Sequence, residues 1–86
     1  MEIEFTQRAY RELQEWKKSG NTKVIKRITE LTASILENPF SGIGKPEPLK
    51  YEYTGKWSRR INREHRYVYE VREEKIYIFS LKGHYQ

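Results

Sequence analysis

The dipeptide Asn38-Pro39 divides this chain of 86 residues into two parts with different periodicity. Before it, apolar residues recur at the spacing of one helical face. These residues are Val24, Ile28, Leu31 and Ile35. A residue that precedes proline disfavours the helical conformation, so the helix is expected to end at Asn38. After this point the chain is rich in glycine and proline and then shows the residue types of strands, which predicts a sheet-forming C-terminal part.

Two helices are predicted before the break. Residues 1–5 alternate apolar and acidic side chains, as a short strand does, and precede both helices. Thr6 suits the N-cap of the first helix, which is expected to end near Gly20. Thr22 is predicted to cap the second helix. Because the turn between them is so short, the two helices should form an antiparallel hairpin.

Strand signals dominate the C-terminal part. They cover residues 51–53 (weakly), 57–61, 66–72 and 76–82. Glu73-Glu74 is predicted to be the tight turn between the last two strands, and the stretch that carries Glu47 is predicted to be a loop. The order β-α-α-β-β-β predicts an α+β fold, in which an N-terminal strand and a helical hairpin pack on one face of a mainly antiparallel, twisted sheet. A single domain over residues 1–86 is expected from the length.

The charge balance favours a polyanionic partner. Seventeen Lys and Arg residues against twelve Asp and Glu give a net charge of +5 and a pI near 9.5. Such a protein attracts phosphates, and the attraction weakens as salt rises. Five arginines fall in one segment together with two tyrosines, a combination that suits phosphates and unstacked bases. The arginines are Arg59, Arg60, Arg63, Arg66 and Arg72.

Several classes of site and location are disfavoured by composition. The chain has no cysteine, so it forms neither disulfides nor zinc–thiolate sites. The acidic residues lack the spacing of a two-metal nuclease, and no metal or cofactor is expected. The N-terminus lacks the features of a signal peptide, and no apolar run approaches membrane-spanning length, so a soluble cytoplasmic protein is expected.

Alternation along the predicted strands assigns side chains to the two faces of the sheet. The face that packs on the helices should hold the apolar and aromatic residues Trp57, Ile61, Tyr67 and Tyr69. Arg60 and Arg66 should then emerge together on the open face. Arg59 falls on the packed side, and its side chain is expected to reach outward at an edge of the sheet.

Three residues have the chemistry needed to cut RNA without a metal. Glu47 lies between two prolines, which restrict its backbone and suit an oriented general base. The guanidinium of Arg66 suits the charge of a phosphorane. His84 suits a general acid near neutral pH. Taken singly, each has an ordinary alternative: an exposed loop glutamate, a cross-strand salt bridge and a frayed tail.

Four ordered segments extend this interpretation. They are GKPEPLK at 44–50, GKWSRRI at 55–61, EHRYVY at 64–69 and KGHY at 82–85. In this order they resemble the YoeB/Txe family of bacterial ribosome-dependent mRNA interferases, within the RelE/ParE superfamily of toxins. The resemblance runs from about Asn38 to Tyr85. It implies the superfamily's fold, an antitoxin protein as partner, the ribosome and mRNA as targets, and a possible homodimer.

The resemblance also implies roles for individual residues. Glu47 would be the base, Arg66 the group that stabilises the transition state, and His84 the acid. Lys50 and Arg60 would bind phosphates.

The C-terminal tail and two further residues complete the predicted site. Tyr85 would orient the substrate or stack on a base. Gly83 stands where many relatives have an aromatic residue, which is expected to loosen the tail. His65 is expected to have a structural or RNA-contact role and is the fallback acid, whereas Arg59 is a weaker candidate for RNA contact than Arg60.

Two other functions remain open from the sequence. One is a non-enzymatic, ParE-like toxin that inhibits a protein target such as DNA gyrase. Such a toxin would have no use for Glu47, Arg66 and His84 together. The other is a non-catalytic RNA-binding domain that uses the arginines and tyrosines of the sheet, and it would bind RNA without producing cleavage products.

Overall fold

The computed structural model describes residues 1–84. Within these residues, two helices and five strands follow one another. They are β1 (Glu2–Phe5), α1 (Gln7–Ser19), α2 (Thr22–Glu37), β2 (Glu47–Pro48), a 3₁₀ turn (Tyr51–Tyr53), β3 (Trp57–Arg60), β4 (Arg66–Arg72) and β5 (Lys75–Ser80). The strands form one sheet in the order β1-β5-β4-β3-β2, in which β1 runs parallel to β5 and the other neighbours are antiparallel. This arrangement confirms the predicted α+β fold.

The helix ends follow from their capping residues. Thr6 caps α1 as predicted, because its hydroxyl accepts a hydrogen bond from the backbone N–H of Ala9 at 3.1 Å. Gly20 ends α1 in the left-handed conformation with φ of 73°. The prediction that Thr22 caps α2 is wrong. The cap is Asn21, whose side-chain oxygen accepts from the N–H of Val24 at 3.2 Å, and asparagine is the stronger N-cap of the two.

Two predictions about the edge of the sheet are also wrong. Residues 51–53 form a 3₁₀ turn and not a strand, because Tyr51 has φ of 59° and cannot continue an extended chain. Glu47 lies on the short edge strand β2 and not in a loop, and it pairs with Ser58 of β3. The prolines that flank Glu47 lack an N–H donor, and an edge strand tolerates this because one of its sides has no partner.

The helices cover one face of the sheet and bury the predicted core. Every residue of the α2 stripe is buried, and so are Ile61, Tyr67 and Tyr69 from the sheet, while Trp57 is half-buried against them. The Tyr67 hydroxyl lies 2.8 Å from that of Thr32, and burial raises the pKa of Tyr67 to about 12. Among residues 1–84 no helix is long and apolar enough to cross a membrane.

Arg59 is the largest departure from the sequence prediction. Its side chain does not reach outward at the sheet edge but is 0% exposed, between the sheet and the segment that follows α2. All of its N–H groups find oxygen acceptors within 3.1 Å. The acceptors are the hydroxyls of Tyr69 and Ser34 and the backbone carbonyls of Asn38, Ser41 and Ile43. A guanidinium in this position has no access to RNA, so Arg59 is excluded as a substrate contact.

We expect Arg59→Ala to lower the free energy of unfolding by about 3–5 kcal/mol, because it leaves several buried acceptors without donors. Arg59→Lys should recover only part of this loss, since one ammonium cannot reach acceptors spread along the segment. Denaturant titration followed by tryptophan fluorescence measures the difference. Arg60→Ala is the matched control, because Arg60 is the adjacent, exposed arginine and should change stability by less than about 0.5 kcal/mol. Equal effects at the two positions would contradict this account of Arg59.

Candidate active site

A polar cavity of about 200 Å³ opens on the face of the sheet away from the helices. It is lined by Lys45, Glu47, Leu49, Ser58, Arg60, Arg66 and His84. The fold therefore brings together four residues that the sequence singled out, Glu47, Arg60, Arg66 and His84, although they come from four separate segments of the chain. A cavity of this size and polarity suits a phosphate group with its attached sugar atoms.

Strand register sets the positions of the side chains in the cavity. Glu47 lies directly opposite Ser58, and Arg60 lies directly opposite Arg66. Opposed residues in an antiparallel pair have Cβ atoms roughly 5 Å apart, and a step of two residues along a strand adds about 7 Å. Glu47 is therefore about 7 Å along the sheet from the Arg60–Arg66 pair, because Ser58 and Arg60 are two residues apart on β3. All of these residues lie on the same face of the sheet.

The segment before β2 is shaped by close packing. The carbonyl of Gly44 accepts a hydrogen bond from the N–H of Arg60 at 2.7 Å, which fixes the chain beside β3. Gly44 has φ of 81°, and a Cβ atom there would lie 2.6 Å from a methyl group of Leu31. Only glycine fits such a position. The next residue, Lys45, also has a positive φ, of 55°, and it lines the cavity.

Arg66 is held by the turn that precedes it. Its Nη1 donates to the carbonyl of Asn62 at 2.8 Å and to that of His65 at 3.1 Å. Burial lowers the pKa of Arg66, repulsion by Arg60 lowers it further, and attraction by Glu47 opposes both effects. The guanidinium nevertheless stays charged, as arginine does in proteins.

The cavity has an excess of positive charge. Within residues 1–84, neither Arg66 nor Arg60 forms an ion pair with a carboxylate within 4.0 Å. The cross-strand salt bridge, which was the alternative for Arg66, is therefore not formed. Three cations and one carboxylate line the cavity, an arrangement that attracts an anion.

The C-terminal tail is anchored as far as Gly83. The carboxylate of Glu12, which is buried on α1, accepts from the N–H groups of Leu81 at 2.7 Å and Lys82 at 3.1 Å. Trp16 donates from its indole nitrogen to the carbonyl of Leu81 at 2.9 Å. These contacts remove residues 81–82 from the sheet, so β5 ends at Ser80, earlier than predicted.

Gly83 forms two further hydrogen bonds. Its N–H donates to Nδ1 of His65 at 3.0 Å, and its carbonyl accepts from the N–H of Arg66 at 2.9 Å. These bonds hold Gly83 in place; the prediction that Gly83 loosens the tail concerns the residues after it, of which Tyr85 lies outside the described part of the chain. The anchored chain brings His84 to the cavity.

His65 makes contacts that hold the tail and the first helix. Because Nδ1 accepts from Gly83, the proton of the neutral ring lies on Nε2. The ring packs edge-on against Trp16, with 5.0 Å between the ring centroids. His65 does not line the cavity, so its geometry does not support the fallback role as acid.

The remaining candidates differ in their positions. Lys50 is exposed and does not line the cavity, so it stays a predicted contact for a phosphate outside it. Tyr85 lies outside the described residues. Lys45 and Ser58 also line the cavity, and neither was predicted from the sequence. Ser58 could have been found from strand alternation, because it lies two residues before Arg60 and so on the same face of the sheet. Within residues 1–84 no three His, Asp or Glu side chains cluster as metal ligands do.

The chain matches a family model described as the YoeB-like toxin of bacterial type II toxin–antitoxin systems, over residues 5–85. It belongs to this family. Among its relatives, Toxin YoeB of Synechocystis is 45% identical over 86 residues, covering 100% of this chain and 99% of that protein. The resemblance inferred from the four sequence segments is thereby confirmed.

Solved structures agree with the fold. The YoeB/ParE toxin from Agrobacterium tumefaciens superposes with a TM-score of 0.94 at 33% identity, over 99% of this chain and 100% of that one. The YoeB dimer from Staphylococcus aureus superposes with a TM-score of 0.90 at 44% identity. The YoeB–YefM complex from the same organism superposes with a TM-score of 0.89 at 45% identity. Both cover 99% of this chain and 98% of the other.

The anchoring of the tail predicts a specific effect of His65→Phe. Phenylalanine keeps a ring against Trp16 but removes the acceptor for the Gly83 amide. Hydrogen exchange at Gly83 should accelerate by roughly fivefold, since one hydrogen bond contributes about 1 kcal/mol. The amide of Leu81, which Glu12 holds, is the internal control and should keep its protection. Unchanged exchange at Gly83 would show that the hydrogen bond to His65 does not hold the tail.

Proposed function

We propose that this protein is a ribosome-dependent endoribonuclease toxin that cleaves mRNA in the decoding site without a metal ion. The observation that carries the proposal is the composition of the cavity. A carboxylate, an imidazole and two guanidiniums that form no ion pair within residues 1–84 line one space large enough for a phosphodiester, and they come from separate segments. These are the groups that an internal phosphoryl transfer requires.

The reaction uses the 2′-hydroxyl of the RNA as the nucleophile. Glu47 takes the 2′-hydroxyl proton while the oxygen attacks the adjacent phosphorus. The bond from phosphorus to the 5′-oxygen breaks, and His84, in its protonated form, donates a proton to that oxygen. The products are a 2′,3′-cyclic phosphate and a 5′-hydroxyl, and solvent exchange restores both side chains. DNA lacks the nucleophile, which explains selectivity for RNA.

The cations stabilise the charge that develops on phosphorus. Arg66 presents its guanidinium from a fixed turn, so little reorganisation is needed as the phosphorane forms. Arg60, on the opposite strand, and Lys45 bind the non-bridging oxygens and place the scissile bond. Because an ordinary glutamate is a weak base at neutral pH, much of the rate enhancement comes from orientation and from this charge stabilisation.

The partners follow from the family. The Staphylococcus aureus relative forms a complex with YefM and also a dimer, and an antitoxin of that kind is the proposed inhibitor here. The toxin acts in the cytoplasm, where ribosomes and mRNA are found. Tyr85 would stack on or orient a base beside the scissile phosphate.

Glu47→Gln tests the proposed base. Glutamine keeps the shape of the side chain and removes its basicity, so cleavage on programmed ribosomes should fall by roughly 10² to 10⁴-fold. Binding to the ribosome should change little, because Glu47 makes no ion pair within the described part of the chain. Glu52→Gln is the control, since it makes the same change at an exposed glutamate that does not line the cavity. If the Glu47→Gln variant cleaves as fast as the wild type, Glu47 is not the base. If the wild-type protein itself binds RNA but does not cleave it, a non-catalytic RNA-binding domain is favoured.

Arg66→Lys separates charge from geometry at the proposed transition-state contact. The ammonium keeps the charge but loses the planar pair of donors, so the rate constant for cleavage should fall almost as far as in Arg66→Ala. Single-turnover cleavage on ribosomes saturated with toxin measures this constant. If the Lys variant is fully active, Arg66 contributes only general electrostatic attraction.

A further inference from the structure

The residue before the proposed acid is held at both of its backbone polar groups. The N–H of Gly83 donates to Nδ1 of His65 at 3.0 Å, and the carbonyl of Gly83 accepts from the N–H of Arg66 at 2.9 Å. Gly83 immediately precedes His84, which lines the cavity. Of these two contacts, only the one with His65 uses a side chain. A substitution at His65 can therefore remove one contact and leave the other in place.

The conformation of Gly83 makes these contacts important. Its φ of 91° lies in a region that glycine adopts readily and other residues adopt rarely. Within the described part of the chain, a Cβ atom at this position would meet no heavy atom within 4 Å beyond its chain neighbours, so packing does not restrict the backbone there. Glycine also has the widest choice of backbone conformations. The direction in which the chain leaves Gly83 therefore depends on its hydrogen bonds.

His65 is itself fixed in place. Its N–H donates to Oδ1 of Asn62 at 2.8 Å, and its carbonyl accepts from the N–H of Ile61 at 3.1 Å. Its ring lies edge-on to the ring of Trp16, which is buried and donates to the carbonyl of Leu81 at 2.9 Å. Because both the backbone and the ring of His65 are held, Nδ1 is a rigid acceptor for the tail.

His65 also contacts the group proposed to stabilise the transition state. Its carbonyl accepts from Nη1 of Arg66 at 3.1 Å, while its ring accepts from Gly83. One residue thus helps to place both the guanidinium of Arg66 and the start of the chain to His84. In the proposed reaction these two groups act on oxygens of the same phosphorus. Their spacing must match the substrate, and a displacement of about 1 Å can lower a rate by roughly 10²-fold.

The position of His65 does not suit a direct chemical role. Its side chain does not line the cavity, and Nδ1 already accepts a hydrogen bond from Gly83. The remaining alternative is a purely structural role, since the ring packs on Trp16. The two roles use different atoms of the side chain. Packing uses the ring as a whole, whereas holding the tail uses the lone pair of Nδ1, so substitutions can separate them.

We infer that His65 is a positioning residue for the acid step; this rests on the proposed function. Through the hydrogen bond that Nδ1 accepts from Gly83, His65 holds His84 at the distance from Arg66 that protonation of the 5′-oxygen requires. His65 exchanges no proton with the RNA. Its loss should therefore slow cleavage by less than the loss of His84, because the acid is still present but is less often in the correct place.

Three substitutions of His65 separate the acceptor from the ring. His65→Phe keeps a ring against Trp16 and removes the acceptor. His65→Asn removes the ring and keeps an acceptor, because Oδ1 of asparagine is as many bonds from Cβ as Nδ1 of histidine is. His65→Leu removes both and matches asparagine in shape. Single-turnover cleavage on ribosomes saturated with toxin gives the rate constant, while ribosome affinity and thermal melting are measured separately.

The rate constant should depend on the acceptor, and the melting temperature should depend on the ring. We expect His65→Phe and His65→Leu to cleave roughly 10- to 10²-fold more slowly than the wild type, and His65→Asn to recover most of that loss. The melting temperature of His65→Phe should exceed that of His65→Asn, since only phenylalanine packs against Trp16. Ribosome affinity should stay unchanged. A rate constant that follows the melting temperature across the three variants would overturn the inference.

A double-mutant cycle tests whether His65 acts through His84. In a His84→Gln background the acid is absent, so His65→Phe should have little further effect on the rate constant. An undiminished effect in that background would overturn the inference, because His65 would then act independently of the acid.

Failure of the proposed acid would give a different result. His84→Gln alone would then cleave as the wild type does, which refutes both the acid and the residue that positions it. If His84→Gln cleaves slowly and His65→Phe cleaves as fast as the wild type, the proposed acid stands and only the inference about His65 fails.

Discussion

The buried guanidinium of Arg59 organises the rest of the molecule. It lies between α2, the central strand β4 and the segment of residues 38–44, and it donates to acceptors in all three. No carboxylate is among these partners, so its charge is balanced by hydroxyl and carbonyl dipoles and by the ring of Tyr69. Such a group is costly to bury and is stable only while every donor is satisfied. It therefore ties the conformation of an irregular segment to the folding of the core.

The candidate site depends on that coupling. The segment held by Arg59 leads directly to Gly44 and Lys45 and then to Glu47, while the next residue of β3, Arg60, turns to the opposite face and lines the cavity. Two adjacent arginines of one strand thus have different positions: Arg59 fixes the chain that brings the carboxylate, and Arg60 lines the cavity. The C-terminal tail is fixed in a comparable way, by Glu12 of α1, and it brings His84 to the same place.

Regular patterns in the sequence were enough to predict the helices, the core face and the grouping of Glu47, Arg60, Arg66 and His84. Hydrophobic periodicity and the positions of proline depend directly on local conformation. The four ordered segments contain the residues that the family resemblance assigns to the site. The roles of Arg59, Glu12 and Asn21 were not predictable in this way. Each role depends on which backbone groups lie next to a polar side chain after folding. Alternation along a strand predicts the face of the sheet on which a side chain lies, but it does not predict whether hydrogen-bond acceptors are present on that face. The short strand at Glu47 was not predicted because the two prolines that flank Glu47 are typical of a loop.

The central claim is that the 2′-hydroxyl beside the scissile phosphate is the nucleophile and that the protein supplies only acid, base and cations. The most direct measurement is to map the ends of mRNA cut on programmed ribosomes and to compare a message with a single 2′-deoxy nucleotide at the cut site. The account predicts a 2′,3′-cyclic phosphate and a 5′-hydroxyl from the unmodified message and no cut at the deoxy position. A 5′-phosphate product, or unimpaired cleavage at the deoxy position, would contradict it.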